Sequence, residues 1–132
     1  MKEKKQILVI EDENSLRLLL SSFLRKHYAV ESRKDGLDAL TWMSKGNIPD
    51  VIILDMEMPN LSGAEFLIHI RSSGFFRNIP VLVASGTNDE HLPGKLKKLG
   101  ANGFMKKPIN PSQVVKTIEM FLKGEFELAS QN

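Results

Sequence analysis

Side chains that could carry out chemistry follow four of the short apolar segments in this sequence. Glu11 and Asp12 follow the first of these segments, and Asp55 follows the most apolar one. Ser85 and Lys107 follow two later segments. If the segments are parallel strands of one sheet, their carboxyl ends meet at a single edge, and these five side chains come together there.

The chemistry of this group points to a metal ion and a phosphoryl group. Carboxylates that crowd together raise each other's pKa unless a cation neutralises them, and a small number of hard oxygen ligands suits Mg²⁺. Because Mg²⁺ keeps several waters and often shares its ligands with a phosphate, Lys107 and Ser85 are interpreted as groups that hold phosphoryl oxygens. The sequence therefore predicts Mg²⁺-dependent phosphoryl chemistry at one edge of a sheet.

The elements that must position these residues alternate between two patterns. Short apolar runs rich in branched residues alternate with segments of helical periodicity, as in a parallel sheet covered by helices. The predicted strands are residues 7–10, 29–33, 51–54, 80–84 and 103–106. The predicted helices are residues 16–27, 35–45, 63–71, 91–99 and 111–122, the last with Asn110 as N-cap. The fourth helix is expected to be short or to start late, because Pro93 and Gly94 fall near its beginning.

The first two helices contain apolar residues at helical spacing, which predict the face that each helix turns inward. In the first helix, the residues predicted to face the core are Leu16, Leu19, Leu20, Phe23 and Leu24. In the second helix, they are Leu37, Leu40 and Met43.

Composition excludes several classes of function. The 132 residues are enough for one domain, and the absence of Cys excludes disulfides, thiol nucleophiles and iron–sulfur sites. Three scattered His residues give no support to a zinc or haem site. A formal charge of +2 does not indicate a nucleic-acid surface, and a cluster of Lys residues at 95, 97 and 98 lacks interleaved aromatics. With no signal-peptide pattern and no long apolar stretch, a cytoplasmic location is expected.

Each candidate residue also has a structural interpretation. Asp12 with Glu13 is compatible with an N-cap and an acid in the first turn of a helix. Asp55 alone is compatible with a turn after a strand, as are Ser85 with its following glycine and Lys107 with its following proline. The functional interpretation depends on the coincidence of all these residues at four strand ends.

Four motifs carry a resemblance to a known family. They are Ile10-Glu11-Asp12-Glu13, Asp55-Met-Glu-Met58-Pro59 with Gly63, Pro80-Val-Leu-Val-Ala-Ser85-Gly86, and Phe104-Met-Lys-Lys107-Pro108. From about Gln6 to Leu122, the chain resembles the receiver domain of two-component response regulators, the CheY-like members of the flavodoxin-like fold. The resemblance implies an α/β fold of (βα)5 type, with a five-stranded parallel sheet in the order 2-1-3-4-5 and helices on both faces. Because the roughly ten residues after Lys123 are too few for an output domain, a stand-alone regulator is expected, with residues 1–123 as receiver domain, residues 124–132 as a short tail and no output domain.

By this resemblance, Asp55 is the phosphoacceptor, which takes a phosphoryl group from a phosphohistidine and becomes an acyl phosphate. Its carboxylate is expected to be ionised near neutral pH and so to need no base. Asp12 and Asp55 would bind Mg²⁺ directly, Glu11 would act mainly through a water, and Glu57 would contribute its backbone carbonyl.

The other matched positions concern the attached phosphoryl group and the response to it. Lys107 would hold a phosphoryl oxygen, and Ser85 would donate a hydrogen bond to the group. Movement of Ser85 toward the phosphoryl group would leave room for Phe104 to turn inward, which makes the two residues a switch. Glu57 and Thr87 match the two variable positions that tune how fast water removes the phosphoryl group.

The resemblance also implies partners. The domain would catalyse only its own phosphorylation and dephosphorylation, with a sensor histidine kinase or a histidine phosphotransfer protein as donor. A downstream protein would bind the face formed by the fourth helix, fifth strand and fifth helix, with no direct contact to nucleic acid or membrane, and the chain would be a monomer or a phosphorylation-linked dimer. The alternatives are a pseudo-receiver or interaction module, a fragment of a larger regulator or hybrid kinase, and, less favoured, a phosphohydrolase that uses Asp55 and Glu57.

Overall fold

Five strands alternate with five helices in the computed structural model, which describes residues 4–126. The strands are β1 (Gln6–Ile10), β2 (Ala29–Arg33), β3 (Val51–Asp55), β4 (Val81–Ser85) and β5 (Gly103–Lys106). The helices are α1 (Asn14–Leu24), α2 (Gly36–Met43), α3 (Gly63–Ser72), α4 (Leu92–Lys98) and α5 (Pro111–Leu122). All strands are parallel and lie in the order β2-β1-β3-β4-β5, so the predicted fold class and strand order are confirmed.

The sheet separates two apolar cores, because successive side chains along a strand point to opposite faces. In β1, Leu8 and Ile10 belong to one core, and Ile7 and Val9 belong to the other. Helices α2, α3 and α4 cover the first core, and α1 and α5 cover the second. A strand that is buried on both faces has a continuous apolar sequence, which explains why β1, β3 and β4 could be located without polar alternation. The edge strand β2 is only half-buried.

Two residues that were predicted to face the core lie on the surface instead. Leu19 in α1 is 59% exposed and Leu37 in α2 is 51% exposed, so both predictions are wrong. The buried residues of α1 include Leu20, Leu24 and the polar Ser21. The apolar stripe of α1 is wider than the line along which the helix contacts the sheet, and periodicity alone does not show which part of a wide stripe is buried.

Polar caps set where four helices begin at the carboxyl edge of the sheet. Asp35 caps α2 by accepting a hydrogen bond from the Asp38 N–H at 2.8 Å. Glu13 caps α1 by accepting two amide hydrogen bonds from its first turn. Ser62 and Glu65 form a capping box at the start of α3. Asn110 caps α5 and Pro111 is its first residue, as predicted from the sequence.

Helix α4 is short and is held at its C-terminal end. It has seven residues, Pro93 lies in its first turn, and His91 at the N-cap position gives no side-chain hydrogen bond. After the helix, Arg71 of α3 donates hydrogen bonds to the Gly100 carbonyl at 2.7 and 3.0 Å and to Asn102 Oδ1 at 3.0 Å. Gly100 has φ of 107°, and a Cβ there would lie 2.7 Å from Arg71 Nε, so the close approach requires glycine.

The chain retains an apolar contact after α5. The ring of Phe126 lies 5.5 Å from the ring of Phe121, measured between centroids. The remainder of the predicted tail, residues 127–132, lies outside the described residues. Within residues 4–126, none of the helices has both the length and the apolar character needed to cross a membrane.

Candidate functional site

Three carboxylates come together at the carboxyl edge of the sheet. Strands β1 and β3 are neighbours with Ile10 opposite Leu54, so the residues that follow, Glu11 and Asp55, lie side by side. With Asp12, they offer carboxylate oxygens that all lie within 4.8 Å of one another. Glu11 and Asp55 are buried, whereas Asp12 is exposed. Because Glu13 is the residue that caps α1, the structural interpretation of Asp12 as the N-cap is wrong.

Lys107 supplies positive charge to this cluster. Its ammonium group donates a hydrogen bond to Asp55 Oδ1 at 2.9 Å and lies 3.3 Å from Glu11 Oε1. The backbone holds Lys107 at this edge, because it follows β5 and its N–H donates to the Ser85 carbonyl at 2.8 Å. The Lys107–Pro108 peptide is cis. Partial burial acts to lower the pKa of Lys107, but the hydrogen bond and charge of Asp55, together with Glu11, raise it above its usual value.

Asp55 is the residue whose chemistry is most altered by its surroundings. Burial raises the pKa of Asp55 to about 7, with the charge of Glu11 adding to the rise and Lys107 opposing it. Burial therefore disfavours the ionised form of this carboxyl, whereas the ion pair with Lys107 favours it. Asp55 Oδ2 is buried and has no hydrogen-bond partner among residues 4–126.

The turn after β3 packs closely against the start of α3 and is tied to the start of α2. Gly63, the first residue of α3, packs on the backbone of this turn, and a Cβ there would lie 2.9 Å from Met56 Cα and 3.0 Å from the Asp55 carbonyl oxygen. Asn60 adopts φ of 69° and donates a side-chain hydrogen bond to Asp35 Oδ2 at 3.0 Å. The motif glycine is therefore needed for the packing of α3 against the end of β3.

Ser85 lies at the same edge but is engaged by a side chain that the sequence did not indicate. Its hydroxyl donates to Glu57 Oε2 at 2.5 Å, and the Gly86 N–H donates to Glu57 Oε1 at 3.2 Å. The Thr87 N–H in turn donates to the Ser85 hydroxyl oxygen at 3.2 Å. Sequence reasoning assigned Glu57 a backbone carbonyl and a tuning role, and it did not foresee this side-chain contact.

Phe104 lies in β5, away from the acidic cluster. Its ring is partly buried and packs against the core covered by α2, α3 and α4. It also lines a cavity of about 200 Å³ between α4 and β5, together with Leu96 and Ala101. On the loop after β4, Asn88 accepts a hydrogen bond from Lys106, a further tie between this loop and β5 that sequence reasoning missed.

The donor set fits a divalent cation. It consists of hard carboxylate oxygens, one of which, Asp55 Oδ2, is buried with no hydrogen-bond partner among residues 4–126. Burial raises the pKa of Asp55, and the charge of Glu11 adds to the rise. A small number of oxygen ligands with an exposed side open to water is the environment that Mg²⁺ prefers.

Comparisons with known proteins agree with this geometry. A family model described as the response regulator receiver domain matches residues 7–119. The chain is 31% identical to the hybrid signal transduction histidine kinase D of Dictyostelium discoideum over 94% of this chain and 8% of that protein. It is 39% identical to the regulator of RpoS of Escherichia coli strain K12 over 80% of this chain and 31% of that protein. It therefore spans less than a third of either relative.

A solved structure matches over nearly its whole length. The chemotaxis response regulator CheY4 of Vibrio cholerae superposes with a TM-score of 0.80 and 31% sequence identity, covering 88% of this chain and 97% of that chain. The range matched by the family model, residues 7–119, contains Glu11, Asp12 and Asp55. This chain belongs to the family of response regulator receiver domains, which act in phosphorelay signal transduction.

Proposed function

We propose that Asp55 accepts a phosphoryl group from a phosphohistidine on a histidine kinase or a histidine phosphotransfer protein. The observation that carries the proposal is the state of the Asp55 carboxyl group. One of its oxygens is held by Lys107, the other is buried with no partner among the described residues, and two further acids lie beside it. A group in this state has an oxygen free to attack and a cation in place to offset the incoming charge.

Three residues have different roles in the proposed phosphoryl transfer. An Asp55 carboxylate oxygen forms the bond to phosphorus while the bond from phosphorus to the imidazole nitrogen breaks, and the electron pair stays on the imidazole, which takes up a proton. Lys107 holds a phosphoryl oxygen and keeps the nucleophile oriented. Ser85 donates a hydrogen bond to the attached group. Positioning and electrostatics suffice because the transition state of phosphoryl transfer is loose.

A divalent cation is part of this proposal. Asp12 and Asp55 would bind Mg²⁺ directly, Glu11 would bind it through a water, and Glu57 would contribute its backbone carbonyl. When bound, the cation supplies positive charge that offsets the carboxylates and the phosphoryl oxygens. It would also lower the pKa of Asp55, which is raised to about 7 in its absence, and so ionise the nucleophile at neutral pH.

The proposed output is a change of the face formed by α4, β5 and α5. Ser85 would follow the phosphoryl group, and Phe104 would turn inward as the loop after β4 shifts. The cavity of about 200 Å³ beside Phe104 supports this, because it offers space next to the ring. We propose that the receiver domain comprises residues 1–123. Glu57 and Thr87 would tune how fast water removes the phosphoryl group. A downstream protein would bind the face formed by α4, β5 and α5.

The test is the intact mass of the full chain after incubation with acetyl phosphate, with and without Mg²⁺. We expect one labile phosphoryl adduct that requires Mg²⁺ and is absent in Asp55→Asn. Asp89→Asn serves as the matched control, since Asp89 is exposed and lies outside the acidic cluster. The absence of an adduct and of beryllofluoride binding in the unaltered chain would refute the proposal and leave an interaction module on the same fold.

A further inference from the structure

The side chain of Glu57 occupies groups that the phosphorylated site needs. Its two oxygens accept hydrogen bonds from the Ser85 hydroxyl at 2.5 Å and from the Gly86 N–H at 3.2 Å. We propose that the Glu57 carboxylate is an internal competitor of the phosphoryl group, which must leave Ser85 and Gly86 before the phosphoryl group can bind there. This inference rests on the proposed function, because it concerns the same site.

The donors near Asp55 are few. Strand β4 runs beside β3, with the Met56 N–H bonded to the Ala84 carbonyl at 2.9 Å, so Ser85 follows directly at the edge where Asp55 lies. A phosphoryl group presents only acceptor oxygens and needs donors around it. Lys107 is already directed at Asp55, and the next donors along the edge are those that Glu57 engages.

Charge makes the two occupants incompatible. Glu57 is only two residues from Asp55, and its own N–H bonds Asp55 Oδ1 at 3.2 Å. A carboxylate that stays on Ser85 would face a phosphoryl dianion across a few ångströms, and the two like charges repel. Because Glu57 is exposed, its side chain can swing into water at little desolvation cost. Its main loss is the pair of hydrogen bonds to its charged oxygens.

The same contact has a consequence before phosphorylation. Ser85 and Gly86 begin the loop that leads to α4, and Glu57 holds both of them toward β3. Glu57 therefore fixes the start of this loop in the unphosphorylated protein, and the phosphoryl group replaces one anion with another. Without Glu57, the loop start loses two of its ties, while the tie from Asn88 to Lys106 is unaffected.

The experiment compares Glu57→Ala and Glu57→Gln with the unaltered chain in a titration with beryllofluoride at saturating Mg²⁺. Removal of the competing carboxylate should tighten binding by about tenfold in Glu57→Ala, since a hydrogen bond to a charged group contributes on that scale. Glu57→Gln keeps one acceptor oxygen and no charge, so its affinity should be intermediate. Glu90→Gln is the matched control, because Glu90 is an exposed acid on the same loop and should leave the affinity unchanged.

A second readout does not depend on the metal or the anion. In amide-resolved NMR of the full chain without Mg²⁺, the Gly86 proton should move upfield in Glu57→Ala, because it loses its carboxylate acceptor. It should keep its position in Glu90→Gln. An unchanged Gly86 resonance, or variants that bind beryllofluoride no more tightly than the unaltered chain, would overturn the inference. Failure of the unaltered chain itself to bind beryllofluoride would instead refute the proposed function.

Discussion

The interior of the sheet and its carboxyl edge meet within two residues of β3. Leu54 and Asp55 are adjacent and both are almost fully buried, but burial has opposite effects on them. Burial of the Leu54 side chain favours folding by roughly 2 kcal/mol. Burial of the Asp55 carboxyl is unfavourable for its ionised form, as its raised pKa shows. The interior therefore stabilises the fold, whereas the edge holds charged groups that would be more stable in water.

Truncation of the interior residue should have the largest effect. Leu54→Ala removes a side chain that is fully buried in the core covered by α2, α3 and α4. We expect the free energy of unfolding to fall by about 3 kcal/mol, measured by urea denaturation. Leu37→Ala, at a position that is 51% exposed, should change it by less than about 0.5 kcal/mol. Similar decreases in the free energy of unfolding of the two variants would contradict the difference expected between an interior and a surface position.

Neutralisation of the edge residue should act in the opposite direction. In the folded chain without divalent cation, Asp55 keeps its proton up to about pH 7, whereas the unfolded chain loses it near the ordinary pKa of 3.8. The folded state therefore binds more protons in this window, and the Asp55 contribution to stability falls as pH rises through it. Asp55→Asn should flatten this part of the profile and be more stable than the unaltered chain at pH 8. Thermal unfolding in EDTA from pH 4 to pH 8 measures this, and parallel profiles would contradict it.

A divalent cation should remove part of the unfavourable charge at the edge. At a Mg²⁺ concentration ten times the dissociation constant, binding to the folded state alone stabilises the chain by about 1.4 kcal/mol. The gain should disappear in Asp12→Asn, which removes one ligand of the acidic cluster. Glu90→Gln makes the same change of charge outside the cluster and should keep the gain. The shift in melting temperature on addition of Mg²⁺ tests both, and an equal shift in Asp12→Asn would exclude the cluster as the site.

A substitution in helix α4 should have a small effect on stability that arises from the backbone and not from charge. Gly94 lies in α4. Apart from its chain neighbours and the backbone of α4 itself, none of the described atoms lies within 4 Å of a Cβ placed at this position. Gly94→Ala should therefore stabilise the chain by about 0.7 kcal/mol, since glycine is unfavourable in a helix interior. Unlike the effect of Asp55→Asn, this gain should be equal at pH 4 and pH 8 in chemical denaturation. A gain that depends on pH would mean that α4 is coupled to the charges of the edge.

The sequence predicted much of the fold because three of its strands, β1, β3 and β4, are buried on both faces. Their continuous apolar runs and the polar residues that end them mark both their positions and the edge at which Glu11, Asp55, Ser85 and Lys107 meet. The strand order came from the resemblance to a family, since the runs do not reveal their neighbours. The inward faces of α1 and α2 were partly wrong, because the tilt of a helix on the sheet decides which apolar residues are buried.

The contact of the Glu57 side chain with Ser85 and Gly86 could not be predicted from the sequence. Its residue type and its spacing from Asp55 were visible, but the rotamer of an exposed glutamate depends on which loop comes within reach. That loop begins at Ser85, 28 positions later along the chain. A contact of this kind requires the three-dimensional arrangement of two strand ends, which no local pattern encodes.

The hydrogen bonds from Arg71 to the Gly100 carbonyl and to Asn102 give α4 the mechanics of a lever. The C-terminal end of α4 is anchored to α3, whereas its N-terminal end has no side-chain cap and follows the loop that starts at Ser85. A displacement of that loop would therefore rotate α4 about a pivot near Gly100, over an arm of roughly 10 Å for seven helical residues. We expect the largest movement at Leu92 and Pro93 and the smallest at the anchored end.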